Sequence, residues 1–119
     1  KQDAKNKIAK ESDAAKSAID ANPNLTDAEK ESAKKAVDAD AKVATDAIDA
    51  STSPVEAQSA EDKGVGSIAQ DVLDAAKQDA KNKIAKEAES AKSVIDSNPN
   101  LTDAEKDAAK KAVDADAKA

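Results

Sequence analysis

The sequence predicts an all-α fold: tandem antiparallel three-helix bundle repeats, joined by a continuous shared helix into an elongated rod. Three observations predict it. Residues 1–43 recur at 77–119 without a gap, at an offset of 76, and 35 of the 43 pairs are identical. The residues between punctuation marks are helix formers, with 30 Ala and most of the remainder Lys, Glu, Asp and Gln. Strong stop and start signals fall twice within a period and are missing where one period meets the next.

A period of this length marks a tandem array of modules. The aligned copies differ only at positions 12, 13, 14, 18, 21, 31, 32 and 43. Identity extends to surface charges, which reads as recent duplication rather than selection on a shared site. Residues 1–76 are then one complete repeat, with helices over about 2–21, 27–50 and 54–76. Residues 77–119 supply the first two helices of the next, over about 77–97 and 103–118.

The first helix carries Ala4, Ile8, Ala15 and Ile19 on one face, at spacings of four, seven and four. Asn22-Pro23-Asn24 ends it, because Pro23 disfavours helical geometry at Asn22 and has no N–H to donate. The string "NPNLTDAEK" at 22–30, repeated at 98–106, then restarts the chain. Thr26 with Glu29, and Thr102 with Glu105, have the Thr-x-x-Glu spacing of a capping box, in which each side chain satisfies the other's free backbone N–H. Asp27 adds negative charge where the helix dipole favours it. Leu25 has no good staple partner at Lys30 and is expected to plug the end of the bundle.

The second helix continues the stripe through Ala33, Val37, Ala41 or Ala44, and Ile48, with Glu31 and Lys35 placed for an i,i+4 pair. The third begins at "SPVE", with Ser53 as N-cap, Pro54 in the first helical position and Glu56 completing another capping box. Its expected stripe is Val55, Ala60, Ile68, Val72, Ala75 and Ala76. Gly64 and Gly66 interrupt it at roughly 1 kcal/mol each relative to Ala. They mark a close approach of helices or a hinge, and close approach is the simpler reading.

Across "DVLDAAKQDAKNKIAK" there is no Gly, Pro or new cap. The stripe runs on through Ala80, Ile84, Ala88, Ala91 and Ile95, so one helix is expected from about Pro54 to Ser97, roughly 65 Å at 1.5 Å per residue. This is the spectrin-like way to join modules. The two-helix end at 77–119 is expected to fray or to pair with another molecule.

Composition restricts chemistry. His, Cys, Met, Trp, Tyr and Phe are absent, and all 19 basic residues are Lys. No thiol or imidazole offers a nucleophile or a soft-metal ligand, no guanidinium clamps phosphate, and no ring stacks on a base. The reading is no enzyme, no cofactor and no metal. The "DADAK" runs at 38–42 and 114–118 lack the Gly and terminal Glu of a calcium loop and lie within helices. Asn24-Leu25-Thr26 and Asn100-Leu101-Thr102 match the N-glycosylation pattern as a by-product of the turn.

Residues 1–43 and 77–119 each balance 9 Lys against 9 acids, so the net charge of −6 sits in 44–76, where Lys63 stands alone among seven acids. That segment reads as a solvated face; the sharper alternative is a surface for a basic partner or divalent cations. Nucleic acid is not an expected partner, since no basic patch offsets this charge. No apolar run is long enough for membrane insertion. Ile, Leu and Val total only 16 of 119 residues, which keeps a largely disordered chain as a third reading. The helical composition and the scarcity of Gly and Pro argue against it.

The "LTDAEK" restart, "KKAVDADAK", the "TSPVEA" cap and "DKGVGSI" together resemble an Ala/Lys-rich repeat, a domain of unknown function, from cell-wall-anchored surface proteins of Gram-positive bacteria. The resemblance covers essentially the whole chain. It implies an extracellular stalk, held to the wall through other parts of the parent protein, that projects an adhesive domain. Its partners would be neighbouring repeats in the same chain. It carries no catalytic or binding motif. The alternative is a helical binding module for a host serum or matrix protein, with Val65, Leu73 and Val94 beside the main stripe as candidates; the blander reading is that they widen the core face. Aromatic and Arg anchors, usual in such interfaces, are missing.

Overall fold

The computed structural model describes residues 1–118, and Ala119 lies outside them. Among the described residues the chain is all-α, with four helices: α1 (Gln2–Asp20), α2 (Asp27–Ala50), α3 (Pro54–Asp96) and α4 (Asp103–Lys118). They form two compact units, Lys1–Asp79 and Ala80–Ala119. The 43-residue helix α3 contributes to both.

The first unit packs α1, α2 and the first part of α3 around a narrow aliphatic core. On α1 the buried positions are 4, 8, 12, 15 and 19. On α2 they are Val37, Ala44 and Ile48, with Ala33 and Ala41 packed against them. Both helices thus use a four-four-three-four rhythm, which keeps one narrow stripe facing inward. Ile8, Ile19, Val37 and Ile48 are fully buried, and each contributes about 1.5–3 kcal/mol relative to exposure. Leu25, outside the helices, is also buried in this cluster.

Helix α3 keeps Ala60, Ile68, Val72 and Ala75 of its expected stripe in or against the core and departs from it at Val55 and Ala76. It buries Ala57, Gly64, Ile68 and Ala75, whereas Val55 is 78% exposed and Ala76 is exposed. Val55 lies two residues before Ala57, about 200° around the helix, so it points to solvent. Ala75, not Ala76, falls on the line set by Gly64 and Ile68. Val65 packs against the core as a flanking residue, while Leu73 is 47% exposed.

At Gly64, α3 packs close against both α2 and α1. A methyl group built there would lie 2.5 Å from the Ala44 Cβ on α2 and 2.7 Å from the Ile8 Cδ1 on α1. Only hydrogen fits. Gly66 meets nothing within 4 Å. One glycine therefore serves packing, and the other has no packing requirement. Neither adopts a positive φ.

The second unit contains the rest of α3 and α4. Its residues repeat those of α1 and α2, yet none of α4 is buried. Ile84, the copy of Ile8, is 49% exposed, against 1% for Ile8. Ala88, Ala91, Ile95, Leu101 and Val113 are half-buried, and Ala80 is exposed. The stripe is present, but two helices provide two walls of a core that in the first unit has three.

Two of the ion pairs that cross between α1 and α2 in the first unit recur at equivalent positions in the second. Lys16 pairs with Asp38 and Lys34 with Asp20 in the first, at 2.9 and 3.0 Å; Lys92 pairs with Asp114 and Lys110 with Asp96 in the second, both at 2.9 Å. They fix partner and register more than they add stability. The expected Glu31–Lys35 pair is not among the ion pairs of the described residues. Lys34, one residue earlier, reaches across to Asp20 instead.

Candidate functional site

The recurrent polar geometry of the molecule lies at its corners. In the first, the Glu29 N–H donates to Thr26 Oγ1 at 3.1 Å, and the Thr26 N–H donates to Glu29 Oε1 at 2.9 Å. Thr102 and Glu105 repeat both bonds at the same distances. The Glu105 carboxyl is held below the usual range chiefly by the Thr102 backbone N–H. Thr26 Oγ1 is thus engaged inside the Asn-Leu-Thr triplet.

The corner before α3 differs from a reciprocal box. The Glu56 N–H donates to Ser53 Oγ at 3.2 Å, as an N-cap requires. The Glu56 carboxylate does not return to the Ser53 N–H. It accepts from the Thr52 N–H at 3.0 Å and from the Thr52 hydroxyl, which hold it below the usual carboxylate range. Thr52 offers two donors to one oxygen, so the carboxylate reaches one residue further back. Ser51 is buried and donates to the Ile48 carbonyl at 2.6 Å.

One further bond ties a corner to α3. The backbone N–H of Asn24 donates to Asp79 Oδ1 at 2.7 Å. In the sequence alone Asp79 is only the copy of Asp3, and nothing local signals this role.

A pair of carboxyls joins α2 to α3. Asp71 has a buried Oδ2 that meets no donor of the protein. Burial, followed by the hydrogen-bonded Asp40 carboxyl and the charges of Asp40 and Asp74, pushes Asp71 up to about 7. Asp71 also lines an open groove of about 300 Å³ with Leu25, Glu29, Ala33, Asp74 and Gln78. The pair can share a proton. Asp38 of the same "DADAK" run instead faces Lys16 on α1, so the run is split between two neighbours and does not converge as a calcium loop would. No group of three or more potential metal-ligating residues occurs among the described residues. No helix described here is long and apolar enough to cross a membrane.

Sequence spacing exposed the caps because they are local. The Asp40–Asp71 and Asn24–Asp79 contacts join residues far apart in the chain, and no spacing announces them. The inter-helix ion pairs left one signal: Lys16 and Asp38 both recur 76 residues on as Lys92 and Asp114.

These groups define a class, an all-α repeat module whose polar residues cap helices and pair one helix with the next. The chain belongs to the family described as Domain of Unknown Function (DUF1542), whose family model matches it over residues 1–75 and again over 76–119. That family is known from surface proteins of Gram-positive bacteria. No curated protein and no solved structure matches the chain.

Proposed function

We propose that this chain is a structural spacer, a segment of a stalk on a bacterial cell surface that holds an adhesive or other functional domain away from the cell wall. The observation that carries this reading is α3, which passes through the boundary between the two family segments without a break. A helix shared in this way resists bending where a flexible linker would not. Each period then adds about one helix length, roughly 30 Å, and repeat number sets reach. Mechanism is mechanical, and the caps, the aliphatic stripe and the inter-helix ion pairs are its working parts.

Small-angle scattering on chains of one, two and four periods tests it. A stalk gives a maximum dimension that grows by a constant step per period. Growth as a weak power of length, as for flexibly linked beads, overturns the proposal. The second reading, a module that binds a host serum or matrix protein, draws support from the exposure of Leu73 and Val94. Exposed aliphatics scattered singly are ordinary on protein surfaces, so the spacer reading is preferred. A serum and matrix pull-down that loses a specific partner on Leu73→Ser or Val94→Ser would reverse that preference.

A further inference from the structure

The two seams of the first unit have opposite electrostatics. Three ion pairs join α1 to α2: Lys5 with Asp49 at 2.8 Å, Lys16 with Asp38 at 2.9 Å and Lys34 with Asp20 at 3.0 Å. Among the described residues no ion pair joins residues 54–79 of α3 to either helix. Helix α3 instead sets Asp71 against Asp40 of α2, with Asp74 close by. The apolar hold on α3 is thinner too. Ile8 and Ile19 are buried on α1, and Val37 and Ile48 on α2, whereas α3 buries one large side chain, Ile68, among Ala57, Gly64 and Ala75.

The charges that act on Asp71 are acidic: Asp40 on α2, hydrogen-bonded to it, and Asp74 on α3. Glu29 of α2 lines the same groove. Helix α1 runs parallel to this part of α3. Ala15, seven residues beyond Ile8, is therefore level with Asp71, seven beyond the Gly64 that packs on Ile8. Ala15 is buried, and the cation next to it, Lys16, is held by Asp38. Lys63 lines another groove of the seam with Asp40, Ala44 and Gly64, about 12 Å along the helix from Asp71. With one proton the two carboxyls form a hydrogen bond across the seam. Without it they are two like charges, and Asp71 Oδ2 is shut from water with no donor of the protein.

We infer that the α2–α3 seam is a proton-operated clasp: the protonated Asp40–Asp71 pair holds residues 54–79 of α3 on the α1–α2 hairpin, and loss of the proton lets that helix come away while the hairpin stays paired. The sign follows from linkage. Asp71 keeps its proton up to about 7 in the closed seam, against an ordinary value of 3.8, so opening releases a proton and is favoured as pH rises between the two. The clasp rests on the contrast between two seams of one unit and does not depend on the stalk proposal.

Native-state hydrogen exchange on the full chain from pH 5 to pH 8, corrected for the intrinsic rate at each pH, tests it. Amides near Ile68 should lose protection by about tenfold per pH unit up to pH 7, as for release of one proton. At pH 8 they should be at least tenfold less protected than those near Ile8 and Val37. Asp71→Asn and Asp40→Asn should each abolish the trend, and Asp74→Asn, which leaves the pair in place, should retain most of it. Equal protection in all three helices at pH 8 would mean that the unit opens only as a whole, and overturns the inference. So does protection near Ile68 that is flat with pH, or a trend that survives in both Asp71→Asn and Asp40→Asn.

Discussion

Gly64 on α3 lies so near Ala44 on α2 that a methyl group on Gly64 would come within 2.5 Å of the Ala44 Cβ. Ala44 cannot yield, because its Cβ moves only with its backbone. This is the closest approach of α3 to its neighbours that a glycine records, and it separates two residues that look alike in the sequence.

Gly64→Ala is expected to destabilise the first unit. Helix propensity favours the change by about 1 kcal/mol, but overpacking against a rigid neighbour costs about 1–3 kcal/mol. Gly66→Ala gains the propensity without the clash and should stabilise by up to about 1 kcal/mol. Thermal melts of the two variants should move in opposite directions. A common rise would mean that the helices separate easily at Gly64.

Stability should fall as pH rises between about 4 and 7. Asp71 keeps its proton up to about 7 in the folded chain, against an ordinary value of 3.8, so the folded state binds more protons in that window and rising pH favours unfolding. The opposite trend, from Asp49 held down by Lys5, Glu56 by Thr52 and Glu105 by Thr102, operates at more acid pH, where stability is lost as those carboxylates protonate. Melting temperature should therefore decline from pH 5 to pH 8, and Asp71→Asn should flatten the decline. A slope unchanged in that variant would remove Asp71 as its source.

Ile8 and Ile84 provide a matched pair. Ile8→Ala should cost about 2–5 kcal/mol, as for a fully buried isoleucine. Ile84→Ala removes the same atoms from a half-exposed site and should cost well under half as much. Urea denaturation measures both. Equal losses would mean that Ile84 is covered in solution.

Thr26→Ala should cost about 1 kcal/mol through the lost cap and leave the helical content of the folded chain almost unchanged. Hydrogen exchange should speed up in the first turn of α2, beginning at Glu29, whose N–H loses its acceptor. Protection unchanged at that amide would argue that water replaces the threonine at no cost.

The sequence made much of this architecture legible. Helix starts at Asp27, Pro54 and Asp103 could be read because caps are short-range and stereotyped, and the stripes of α1 and α2 because their apolar residues recur every three or four positions. The stripe of α3 was harder. Its inward positions include a glycine, and Val55, a good core residue by type, is turned to solvent by its phase. Spacing also placed Glu56 on Ser53, whereas two donors on Thr52 draw the carboxylate one residue back. The Asp40–Asp71 pair was invisible because each residue reads as one more acid on a solvated face.

The bond from Asn24 to Asp79 has a consequence for heredity. Counted by sequence, Asp79 is the third residue of a new period; counted by packing, it closes the corner of the old one. The unit that is copied and the unit that folds are out of phase by a few residues. A gene that gains or loses whole periods by unequal exchange keeps every internal corner intact, wherever the crossover falls, because each new copy brings the aspartate its predecessor needs. A fragment cut at the arithmetic boundary after residue 76 would instead lose its own keystone, and its corner at Asn24 is where loosening should begin.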